Sequence, residues 1–159
     1  MTGKSGSIPL RANTAPSIPR AAEAHSEIGK RAWLRLMRTA HIGGVTFWAL
    51  LSHFGSAQAA LEALPEFAKH GGRITARSIP TQAAIENELE KAAASGMTLA
   101  AIGEPGYPPL LAQVEMPPPL LYYKGEPALW LRPPLAVVGS RNASAAGLKF
   151  AAELAADLG

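Results

Sequence analysis

Between Leu135 and Gly147, a Gly139-Ser140-Arg141 turn and a nearby Ser144 bring together residue types that bind an anion. Leu135 to Val138 reads as a short apolar strand running into the turn. The spacing predicts a helix from near Ser144 towards Gly159. Gly139 lets the backbone turn at the strand end and leaves room for a ligand. The first amides of the following helix lack intrahelical acceptors and carry partial positive charge. Ser140 and Ser144 add hydroxyl donors, and Arg141 adds a full charge on a planar fork that matches a phosphate. Gly147 is expected to let the helix pack closely on a sheet. No carboxylate or histidine stands near this turn in the chain. The chemistry is therefore phosphate binding rather than catalysis: no catalytic residue and no cofactor is implied. The plainer alternative is that Gly139 makes the turn, Ser144 caps the helix and Arg141 faces water. The glycine spacing is not that of a dinucleotide fingerprint, and no Gly-Lys-Ser/Thr follows as a P-loop would need.

Other candidates are weaker. The chain has no cysteine, which excludes disulfides, thiolate metal sites and a cysteine nucleophile. His41, His53 and His70 are too scattered for a metal site, so none is expected. Net charge is +3, compatible with a nucleic-acid partner without requiring one. A second basic feature is the stripe Arg31, Arg35 and Arg38 on one side of a helix. It reads as a solvated face or as an auxiliary phosphate contact. No apolar run is long enough to span a membrane and no secretory signal is visible, which makes the cytoplasm the expected compartment.

The elements that would position these residues fall into three parts. Residues 1–25, rich in Ser, Pro, Ala and Gly, read as a flexible tail. Residues 26–96 read as a helical domain. Ser26 is an expected N-cap, and Trp33, Leu36, Met37 and Ala40 gather on the apolar side of its helix. Ile42-Gly43-Gly44 breaks the chain, and Val45, Trp48, Leu50 and Leu51 recur at helical spacing beyond it. Gly55-Ser56 stops that helix and Ser56 starts the next, Ala57 to Leu64, with Pro65 opening a continuation to Lys69 that Gly71-Gly72 ends. Thr81 caps a further helix with Ile85, Leu89 and Ala92 on one face, stopped by Gly96. Residues 97–159 change period. Met97 to Ile102 and Leu120 to Lys124 read as strands. Leu110, Leu111 and Val114 read as about two helical turns, ended by Pro117-Pro118-Pro119. Pro127 to Leu131 reads as a turn or one helical turn.

Several motifs then line up in order: Trp33-Leu-Arg-Leu, Ile42-Gly43, Leu50 to Ser56, Tyr107-Pro-Pro-Leu-Leu111, Pro119 to Gly125, and Ala136 to Gly147. In this order the sequence resembles the DprA/Smf family of DNA-processing proteins from about residue 31 to 159. The resemblance implies a small helical N-terminal domain, of the sterile-alpha-motif or helix-hairpin-helix kind, followed by the beginning of an extended Rossmann-like domain. Family members bind single-stranded DNA, protect incoming DNA and help load the RecA recombinase during natural transformation. They are not known as enzymes. Carried over to this sequence, the DNA phosphate contacts fall on Gly139, Ser140, Arg141 and Ser144. Hairpins of the helix-hairpin-helix kind carry Gly, a hydrophobe and Gly. Here His41 takes the first position before Ile42 and Gly43, which favours packing over phosphate binding at that turn. The second Rossmann strand, the later Arg-Asn-Arg motif and the dimer surface of the family have no counterpart in these residues. The 97–159 part is accordingly expected to be an incomplete domain, loose beyond about residue 132 and not dimeric by itself. A nucleotide-binding Rossmann-like enzyme and a helical protein-interaction module are the alternative readings.

Overall fold

The computed structural model describes residues 24–69 and 78–158. Among them run four helices, α1 (Glu27–Arg38), α2 (Gly44–Phe54), α3 (Ala57–Lys69) and α4 (Gln82–Ala94), then strands β1 (Thr98–Ala101) and β2 (Leu120–Tyr123), then α5 (Ala145–Leu158). A helical N-terminal domain is thus followed by a small antiparallel sheet. Residues 1–23, His70 and Gly71-Gly72 lie outside the described residues.

Local chemistry sets the helix boundaries. Ser26, Ser56 and Thr81 each accept a hydrogen bond on the side-chain oxygen from a first-turn amide, those of Gly29, Ala59 and Ala84 at 3.0, 3.0 and 3.1 Å. Gly55 and Gly96 end α2 and α4 in the left-handed region, at φ +91° and +71°. Between α1 and α2, His41 also adopts a left-handed φ of +67° while Ile42 turns inward and is buried. Two expectations need correction here. Ala57 to Lys69 is one helix with Pro65 inside it, not a second start. Proline there removes one bond to the preceding turn, a defect that a helix anchored by Leu61 and Leu64 absorbs. On α2 the buried face is Phe47, Trp48, Leu50 and Leu51, whereas Val45 is 58% exposed.

Trp33 is the centre of the core. It meets Phe47 and Trp48 edge to face at 5.1 and 5.6 Å between ring centroids, and those two rings meet each other at 5.3 Å. Leu34 and Leu36 are buried with it, while Ala40, expected on that side, is exposed. α1 is covered on more than one side because α3 and α4 both pack on it. The tail residues nearest to α1 are tied down as well: Ala24 is fully buried and His25 Nε2 lies 3.4 Å from the Ile102 carbonyl.

β1 and β2 pair antiparallel, Thr98 opposite Tyr123 through Ala101 opposite Leu120. Ala100, Ala101, Ile102, Tyr107 and Leu120 join the same apolar cluster as the helices. Pro117, Pro118 and Pro119, expected only to end a helix, do more. Their three carbonyls accept from Trp48 Nε1 at 3.0 Å, the Tyr107 hydroxyl at 2.7 Å and the Ile102 amide at 3.0 Å. One short segment therefore fastens α2, the 104–107 turn and the end of β1 to each other. Lys30 and Glu104 add a half-buried ion pair of 2.8 Å between α1 and that turn, while the second Glu104 oxygen accepts the Ala101 amide at 2.7 Å.

The segments after residue 102 are more irregular than their spacing suggests. Leu111–Gln113 is a single 3-10 turn, not two helical turns, whereas Pro127–Leu131 is a short 3-10 helix, in keeping with the one helical turn expected there. Leu135 to Val138 does not form a strand. The described sheet has two strands, neither of which reaches these residues, and a strand without a partner has no ladder to hold it. Leu135, Val137 and Val138 are 65, 54 and 90% exposed.

Candidate nucleic-acid interface

The turn from Gly139 to Ser144 lies on the surface, between the irregular run that follows Arg132 and the N-terminus of α5. Ser144 caps α5: its Oγ accepts the Gly147 amide at 3.2 Å and its carbonyl accepts the Leu148 amide at 2.9 Å. The Ser140 hydroxyl oxygen accepts the Asn142 amide at 3.3 Å, which folds the turn back on itself. Both hydroxyls keep a hydrogen to donate. The first amides of α5 have no acceptor within the helix and face the same side as its positive dipole end.

Arg141 is exposed and has no ion pair or side-chain hydrogen bond among the described residues. Lys124 and Arg132 share that property. Lys149, further along α5, pairs with Glu153 at 3.7 Å. The reasons offered for the two glycines change with the structure in view. Gly139 is not in the left-handed region, and a Cβ built on it meets nothing within 4 Å, so the turn does not require glycine; open space is what it provides. A Cβ on Gly147 would lie 3.4 Å from Ser144 Oγ and 3.7 Å from Ala143 Cβ, ordinary contact distances, so glycine is not required there either, and no sheet packs on it among the described residues.

The arginine stripe of α1 has a different setting. Arg31 donates to Glu86 at 2.7 Å and Glu27 at 3.2 Å, and Arg35 donates to the Pro80 carbonyl at 2.6 Å. Arg38 grips both oxygens of Glu88, at 3.0 and 2.8 Å, and Glu88 also accepts from the Tyr122 hydroxyl at 3.0 Å. All three arginines thus reach α4 or the segment leading into it, while Arg38 stays exposed. The stripe was legible on a helical wheel, but the helix that faces it was not. Glu86 and Glu88, both partly buried, and the Pro80 carbonyl are what meet it. Burial, with the Glu88 hydrogen bond and charge, pushes Tyr122 up to about 12, and burial alone does the same for Tyr107.

Concave surface also runs along α4. Clefts of about 330 and 430 Å³ share Ala92, Met97 and Tyr122, and a smaller one of about 140 Å³ lies between Ile28, Arg35, Gln58 and Ile85. Among the described residues no cluster of histidine and carboxylate side chains could hold a metal ion. No described helix is long and apolar enough to cross a membrane.

The described chain is a helical N-terminal domain followed by a small antiparallel sheet, consistent with the start of an α/β domain. Comparison with known families agrees. Residues 27–91 match the DprA-like N-terminal HHH domain, and residues 98–159 match DNA recombination-mediator protein A. Together they span nearly all of the described chain, and the chain belongs to the DprA/Smf family of DNA-processing recombination mediators. Comparison with curated proteins found no match.

Proposed function

We propose that this chain binds single-stranded DNA through backbone phosphates held at the Gly139–Ser144 turn. In that reading it serves, in the cytoplasm, a recombination mediator that protects incoming DNA and helps load RecA during natural transformation. The observation that carries it is Arg141, an exposed guanidinium with no counter-ion among the described residues, beside the N-terminus of a 14-residue helix. Phosphate is the natural partner for that combination of charge, free amides and hydroxyls. The family match supplies the nucleic acid. Arg31, Arg35 and Arg38 remain auxiliary candidates that could reach phosphate only by giving up Glu86, Pro80 or Glu88. The role is binding, with no covalent step and no cofactor.

The test is the salt dependence of affinity for a labelled single strand. Wild type is expected to lose affinity steeply with salt, and Arg141→Ala to reduce the log–log slope by about one unit. Equal slopes and affinities for the two proteins would remove Arg141 from the interface. Turnover of a nucleoside triphosphate lost in Arg141→Ala would favour a nucleotide enzyme instead.

A further inference from the structure

Three aromatic rings of indole type stand in this chain, and they are not alike. Trp33 and Trp48 are buried in the helical core. Trp130 is half-exposed, at the end of the 3-10 turn Pro127–Leu131, and its indole N–H has no partner among the described residues. Its ring meets Tyr123, the last residue of β2, edge to face at 5.0 Å and 74°. Tyr123 is itself held from behind, because a Cβ on Gly106 would come within 3.0 Å of its hydroxyl and 3.2 Å of its ring. The pair is therefore a fixed corner of two partly open aromatic surfaces. Two exposed cations neighbour it in the sequence, Lys124 after Tyr123 with its ammonium end over Gly96, and Arg132 two residues after Trp130, and neither has a counter-ion among the described residues. The acid within this stretch, Glu126, is turned to its own backbone, accepting the Ala128 amide at 3.2 Å. From Leu131 to Asn142 every residue is exposed, so the corner and the Arg141 turn lie along one open run of chain.

An open corner of two aromatic rings with unpaired cations close by in the chain suits a polymer that alternates π-faces with phosphates. We infer that the Tyr123–Trp130 corner is a stacking platform for unpaired nucleobases, with Lys124 and Arg132 taking the phosphates on either side. Stacking on an aromatic ring is sequence-tolerant, since every base has a π-face. Duplex DNA, whose bases are stacked on each other, has no free face to offer. The platform would thus select single strands where the Arg141 turn, a phosphate contact, does not discriminate. This rests on the DNA reading above, and the measurement separates the two.

The experiment compares an oligothymidylate with an abasic strand of equal length, at low and moderate salt, using the full chain. Tryptophan emission should be quenched by the base-bearing strand and not by the abasic one. Trp130→Leu should abolish that quenching and weaken binding of the base-bearing strand about ten-fold, leaving the salt slope unchanged. Trp130→Phe should retain most of the affinity, which guards against a mere folding defect, and the emission of Trp33 and Trp48 reports directly on the core. If wild type and Trp130→Leu bind the base-bearing strand equally well with the normal salt slope, the platform is refuted and the phosphate turn survives. If wild type binds the abasic strand as tightly as the base-bearing one, stacking is likewise refuted. Binding of neither strand by wild type overturns both readings.

Discussion

Replacing Tyr107 by phenylalanine isolates one hydrogen bond at the junction between helices and sheet. The ring is 3% exposed and its hydroxyl donates to the Pro118 carbonyl at 2.7 Å. Phenylalanine keeps the ring and leaves that carbonyl without its donor. Losing such a bond in a buried setting costs about 1–2 kcal/mol. The same substitution removes a titration. Burial raises Tyr107 from 10.0 to about 12, so the folded state favours the neutral phenol. That contribution is fully present below pH 10 and is lost as pH rises through the folded value. Each pKa unit corresponds to about 1.4 kcal/mol. Wild type should therefore lose stability faster than Tyr107→Phe above pH 10, and a starting advantage of about 1.5 kcal/mol should vanish near pH 11. Tyr122 titrates in both proteins and cancels in the difference. Urea unfolding followed by emission of the buried tryptophans, at several pH values from 8 to 11.5, measures it. Parallel stability curves for the two proteins would refute the reasoning, because they would mean that the hydroxyl is not held neutral by burial.

Two further substitutions test backbone and packing. His41→Gly should raise stability by about 0.5–1 kcal/mol, since relief of a left-handed non-glycine residue outweighs the entropy glycine adds to the unfolded chain; a lower melting temperature than wild type would contradict this. Gly106→Ala should cost about 1 kcal/mol by pushing on Tyr123, and should alter the near-ultraviolet circular dichroism of the Tyr123–Trp130 pair. An unchanged spectrum would show that the corner is not fixed from behind.

What could be read in the sequence was mostly local. Ser26, Ser56, Thr81 and Ser144 act on amides three residues away, so their capping roles follow from neighbours alone. Gly55 and Gly96 stop helices for an equally local reason. The misread features depend on partners far along the chain. Leu135 to Val138 has the composition of a strand, but pairing is decided by what lies beside it, not by what it contains. The side occupied by Arg31, Arg35 and Arg38 was visible, yet whether it meets solvent or Glu86 and Glu88 depends on how α4 returns, some 50 residues later. At the turn, the residue types of Gly139, Ser140 and Arg141 were plain. That Gly139 sits in open space and that Arg141 lacks a counter-ion among the described residues required coordinates. The Tyr123–Trp130 corner left only a faint mark: aromatic residues followed at one and two positions by Lys124 and Arg132.

The run Pro117-Pro118-Pro119 makes the junction one-sided. Proline has no amide hydrogen, so three consecutive residues at the meeting point of α2, the 104–107 turn and β1 can accept but never donate. The same asymmetry makes the seam silent to backbone hydrogen exchange along its own length. Whether helices and sheet open together or separately would have to be followed from the other side of each bond, at the Trp48 indole and the Ile102 amide.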